Sequence, residues 1–194
     1  MSEPRRPRRG TRRTSDASSS GERRATAPED PAQQAKDICL RLLTARPRTR
    51  AELRQALLRK EIEEDVADRV LHRLDEVGLI DDAAFAEVWV RSRHTYQGMG
   101  RRALASELRR KGVADTVAAE AVATVDAAAE EVRARQLVRK RLRAMTDTDD
   151  TTRIRKLVGM LARRGYSEGL SFRVVREELR PTDQETEDLL PDDL

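Results

Sequence analysis

Three basic pairs recur along this chain, each closing an apolar-spaced run. They are Arg59–Lys60 in LLRKEI (57–62), Arg110–Lys111 in LRRKGV (108–113) and Arg163–Arg164 in LARRGY (161–166). Paired cations hold phosphates or acidic protein surfaces; they carry out no bond-making chemistry by themselves. More cations lie close by in sequence: Arg101, Arg102 and Arg109 ahead of the second pair, and Arg139, Lys140, Arg141 and Arg143 in RKRLR. Tyr96, beside the glycines of YQGMGR, is the aromatic placed to meet a partner where a helix ends. A single lysine or arginine in a last helical turn is adequately explained by the helix dipole, worth about 0.3–1 kcal/mol. A set recurring at one structural point in three places reads instead as a binding surface.

No arrangement for catalysis competes with that reading. GMGRRA (98–103) has the spacing of a dinucleotide loop, but a helical pattern precedes it where that loop requires a strand. DTDDT (147–151) resembles an aspartyl-phosphatase loop, yet no strand leads into it, and it lacks the glycine and glutamate of a calcium loop. It reads as a linker that starts a helix, and a hydrolase built on Asp147 and Asp149 is the least favoured reading. His72 and His94 have no partner at ligand spacing, so no metal and no cofactor are expected. Cys39, the one cysteine, sits in the apolar run ICLRLL and reads as a buried hydrophobe. The chain is expected not to be an enzyme.

The elements that position these residues are helices. Ile38, Leu42 and Leu43 form a first stripe, ended at Arg46–Pro47. TRAE (49–52) is a capping box opening a second helix, with Leu53, Leu57 and Leu58 on its apolar face. Val66, Val70, Leu74 and Val77 mark a third, with Gly78 as its left-handed end. Asp81 then caps a helix from Asp82, with Ile80 and Phe85 as a hydrophobic staple. Phe85 and Trp89 share one helix face and read as core, with base stacking the alternative. No segment alternates as a strand, so the fold class is all-α.

The pattern repeats. Shifted by 51 residues, Leu53, Leu57, Ile62, Val66, Val70 and Leu74 fall on Leu104, Leu108, Val113, Val117, Ala121 and Val125. A further shift of 53 reaches Leu157, Leu161, Tyr166, Leu170 and Val174, then fails at Glu178. Leading helices are expected at 34–45, 82–97 and about 131–145, giving three tandem three-helix, helix-turn-helix-like repeats in an elongated curved body. The expected divisions are 32–80, 81–129 and 130–180, between a disordered basic arm (1–31) and an acidic, disordered tail (181–194). Residues 1–13 hold six arginines and one acid, whereas 181–194 hold six acids and no base. With 38% hydrophobic and 3% aromatic residues, one large core is a poor fit and a thin helical array a good one. No run of about 18 apolar residues and no signal-like segment appear, so a cytoplasmic protein without membrane contact is expected.

GLIDDAAFA (78–86), QGMGRRALASELRRKGV (97–113) and KLVGMLARRGYS (156–167) together resemble the RecX family of bacterial recombination regulators, over about residues 35–180. The resemblance implies three tandem three-helix repeats. It also implies a protein that binds the RecA recombinase, lodges in the groove of the RecA–DNA filament, and inhibits its ATPase, strand exchange and co-protease activity. Recombination, DNA repair and the SOS response would be the processes affected. The cations above and Tyr96 are then the candidates for contact with RecA and, weakly and without sequence preference, with single- or double-stranded DNA; a monomer is expected. The alternative is a direct DNA-binding helix-turn-helix protein of the transcriptional-regulator kind.

Overall fold

The computed structural model describes residues 30–145 and 149–180, all helix and short connection, with no strand among them. The basic arm, the acidic tail and Asp147 of DTDDT therefore lie outside the described residues, apart from Asp30 and Pro31 at the arm's end. Three helices make the first unit: α1 (Pro31–Ala45), α2 (Arg50–Leu58) and α3 (Glu64–Glu76). The second has α4 (Asp82–Ser92), α5 (Arg101–Arg110) and α6 (Asp115–Ala123), and the third α7 (Ala127–Leu142), α8 (Asp150–Arg163) and α9 (Glu168–Glu178). In every unit the last helix packs against both others. Helix α7 begins at Ala127 rather than near 131, because Asp126 accepts the backbone N–H of Ala129 and caps it there. The expected helix over 82–97 is α4 followed by a wider π turn, Arg93–Gln97, which Gly98 ends in the left-handed region.

Each unit buries its own apolar cluster, as the register predicts. Leu53, Leu104 and Leu157 are wholly buried, and so are Leu57, Leu108 and Leu161. Cys39 is a buried thiol that desolvation pushes up to about 11, chemically quiet as its apolar run suggests. Ile80 belongs to the first cluster and Phe85 to the second, so the two residues expected to staple one helix anchor two neighbouring cores. Asp149 accepts from the N–H of Thr152 and caps α8, in keeping with a helix-starting linker.

Where the repeat fails, at Glu178, an ion network replaces the apolar contact. Arg139 Nε donates to Glu178 at 2.7 Å, and Arg135 bridges Glu131, Glu177 and Glu178. Arg173 reaches Glu131 at 2.7 Å. The guanidiniums of Arg135 and Arg139 hold Glu131 and Glu178, respectively, below the usual carboxylate range. Groups with depressed folded values contribute stability that is complete above the ordinary glutamate value of about 4.3 and is lost as pH falls through the folded values. Thermal unfolding at pH 7 and pH 3 should therefore show a larger acid loss for the native chain than for Arg135→Gln. Identical losses would mean the network does not couple to folding.

Candidate polyanion-binding surface

The units join through the turns that carry the second and third basic pairs. At the first junction, the buried Thr49 hydroxyl donates to the carbonyl of Lys111 at 2.6 Å while accepting the N–H of Glu52. The N–H of Arg50 donates to Asp82 of the next unit at 2.9 Å. At the second junction the backbone N–H groups of Gly100 and Arg102 donate to the carbonyls of Arg164 and Gly165 at 2.8 and 3.2 Å. The N–H of Arg101 donates to Glu130 of the next unit at 2.9 Å, matching Arg50 and Asp82. A carboxylate from each following unit thus supplies an acceptor for the open start of the preceding unit's second helix. The burial that allows this raises Asp82 above the usual range.

This geometry accounts for the turn glycines. Gly112 and Gly165 sit at φ +76° and +85°, and an added Cβ would lie 2.2 Å from the Ala51 Cβ or 2.3 Å from the Ala103 nitrogen. Nothing precedes the first unit among the described residues, and there Glu61 takes the same left-handed conformation, φ 61°, with its side chain exposed. Glycine at this turn therefore answers to close packing between units as well as to backbone conformation.

The basic pairs divide in two. Their second members in units two and three reach back across the junction. Lys111 donates to Glu52 at 2.7 Å and stands 4.2 Å from the Trp89 ring centre, with its side chain only 18% exposed. Although partial burial works the other way, Lys111, Arg46 and Arg48 hold the Glu52 carboxyl below its usual range. Glu52 is thus taken up by the junction; only the threonine half of the expected capping box forms. Arg164 donates to the carbonyl of Gln97 in the preceding unit. The first members, Arg59, Arg110 and Arg163, are exposed, with Arg110 touching only Ser106 at 3.2 Å and Arg59 only Gln55 at 3.5 Å.

Two clefts open on either side of Arg163 between units two and three. One, of about 700 Å³, brings Arg102, Arg110 and Arg163 together with Phe172 and Glu168. The other, of about 780 Å³, brings Tyr96, Lys140, Arg141, Arg163 and Arg164 together, and no carboxylate lines it among the described residues. The remaining candidates lie elsewhere. Arg59 and Lys60 are on the outer turn of the first unit, and Arg109 lines a shallower groove at the first junction with Arg54 and Gln55. The half-buried Arg101 starts α5, Arg139 pairs with Glu178, and Arg143 is the exposed residue ending α7. Arg133 was not among the candidates, yet it lines the larger cleft and donates to the carbonyl of Thr95 at 2.6 Å. Its spacing of seven from Lys140 places both on one helix face, the signal that could have found it.

Phe85 is buried and stacks on Trp89 at 5.5 Å, as core residues. Trp89 is half-buried, its N–H donating to Glu107 at 2.8 Å and Arg93 standing 4.1 Å over its ring. It lines an apolar hollow of about 450 Å³ with Leu43, Leu79 and Val88. GMGRRA follows helix and π turn, with Gly100 packed against Gly165, so its glycines serve the chain turn and the junction.

Residues 35–74, 81–122 and 129–175 match, in order, the first, second and third three-helix domains of RecX. The chain is 54% identical to the Regulatory protein RecX of Amycolatopsis mediterranei, over 79% of this chain and 87% of that one. With the Regulatory protein RecX of Streptomyces coelicolor it shares 52%, over 89% of this chain and 92% of that one. A crystal structure of RecX from Lactobacillus salivarius superposes with a TM-score of 0.68 at 22% identity, covering 76% of this chain and 96% of that one.

Proposed function

Starting from the premise that this chain belongs to the RecX family of regulatory proteins, we propose that it is a non-catalytic regulator of the RecA recombinase. It binds the RecA–DNA filament and restrains its ATPase, strand exchange and co-protease activity, and so modulates recombination, DNA repair and the SOS response. The observation that carries this reading is the pair of basic clefts flanking Arg163, which offer exposed cations to DNA phosphates or acidic protein surface. Lys111 and Arg164 support the site by fixing the junction, and Arg102, Arg110, Lys140, Arg141 and Arg163 make the contact. Contact with DNA alone is weak and blind to sequence. The protein acts as a monomer in the cytoplasm. No helix among the described residues is long and apolar enough to cross a membrane.

The helix-turn-helix repressor reading finds less support, since two of the three turns such a reader would present, those of the second and third units, are closed into unit junctions. Titrating RecA's DNA-dependent ATPase with the full chain, and with the chain lacking residues 1–31, tests the proposal. Inhibition below one molecule per RecA protomer is expected. Protection of a defined duplex sequence without any effect on the ATPase would overturn it.

A further inference from the structure

Tyr96 is 82% exposed, the most exposed large hydrophobic side chain of the described residues. It stands on an unusually firm mount. The carbonyls of Thr95, Gln97 and Gly98 around it accept from Arg133, Arg164 and the buried Tyr166 hydroxyl, all three donors from the third unit. Burial pushes that Tyr166 hydroxyl up to about 12, so it stays a donor at any working pH. The turn is of the π type, a form concentrated at functional sites. The backbone that carries this aromatic ring is therefore held in place, and Tyr96 lines the cleft together with the apolar Met99, Leu137 and Met160. Lys140, Arg141 and Arg163 face the same space, with no carboxylate to neutralise them among the described residues.

We propose that this cleft is a contact site for single-stranded nucleic acid, in which Tyr96 stacks on one unpaired base while Lys140, Arg141 and Arg163 take the flanking phosphates. This deepens the reading above and rests on it. A planar aromatic face beside spaced cations matches a base and its backbone together. Duplex DNA keeps its base faces stacked internally and can use only the cations. An acidic peptide would also satisfy the cations, but it brings no planar partner for the ring.

The test uses the full chain without RecA. Fluorescein-labelled oligo(dT) and a duplex of equal length are titrated by anisotropy at several salt concentrations. Tyr96→Ala should weaken oligo(dT) binding about five- to hundredfold, the range of one base–aromatic stack, with an unchanged salt slope and unchanged duplex binding. Tyr96→Trp should restore affinity, and Lys140→Gln with Arg141→Gln should flatten the slope for both nucleic acids. Equal weakening of both by Tyr96→Ala, or no weakening of either, would overturn the inference. Because Tyr96 is exposed, its replacement leaves the fold intact, as an unchanged urea midpoint would verify. Loss of RecA inhibition with Tyr96-dependent oligo(dT) binding intact would remove the filament reading and leave this one; inhibition without any Tyr96-dependent binding would do the reverse.

Discussion

Gly112→Ala and Gly165→Ala each lower stability by about 2–5 kcal/mol, against about 1–2 kcal/mol for Gly78→Ala. All three glycines have positive φ, so each alanine meets the same left-handed backbone penalty. Only two of them also meet a neighbour. A Cβ on Gly112 would lie 2.2 Å from the Ala51 Cβ, and one on Gly165 would lie 2.3 Å from the Ala103 nitrogen, whereas Gly78 has nothing within 4 Å. Relief requires the units to move apart, which stretches the Thr49–Lys111 bond at one junction and the Gly100–Arg164 bond at the other. Glu61→Gly, at the same turn of the first unit, should shift stability by no more than about 1 kcal/mol, since relieved backbone strain is offset by a freer unfolded chain. Urea unfolding midpoints compare all four. Equal costs at the three glycines would show that backbone conformation alone selects them and that the junctions are not closely packed.

Replacing Arg110, Lys140, Arg141 and Arg163 together with glutamate should raise the concentration needed for half-inhibition of RecA's ATPase about hundredfold. At under about 1 kcal/mol for each exposed charge, four such changes reach that size, since a factor of ten corresponds to about 1.4 kcal/mol. The fold should survive, because these side chains are exposed and only Arg110 has a protein partner noted above, the hydroxyl of Ser106. Reversing Lys111 or Arg164 would answer a different question. A glutamate at 111 would face Glu52 at the first junction, and one at 164 would leave the Gln97 carbonyl without its donor, so stability would fall before binding could be read.

Much of this architecture is legible in one sequence because it depends on contacts inside a unit. Leu53, Leu104 and Leu157 fall at one register position and are buried alike, since each sits on the same helix face over the same kind of core. Local signals also hold: Asp81 accepts from Ala84, and Gly78 ends α3. Contacts between units are another matter. Whether Glu52 closes its own helix or holds Lys111 depends on how two units stack, and no local spacing encodes that. The same ambiguity conceals the division of the basic pairs, in which Arg163 and Arg164 are neighbours in sequence and line the same cleft, yet one is exposed and the other is tied to the Gln97 carbonyl across the junction. The π turn is hidden for a similar reason. An apolar pattern continues through Val90 toward Tyr96, and only donors from the third unit fix the wider turn at its end.

The division of the pairs is the central claim, and the salt dependence of Arg163→Glu tests it most directly. Affinity for RecA filaments assembled on single-stranded DNA is measured at several salt concentrations for the native chain and this variant. Weaker binding is expected, with a log–log salt slope shallower by about 0.7, the value for one phosphate contact to a single strand. Two lines of equal slope and equal affinity would contradict the account.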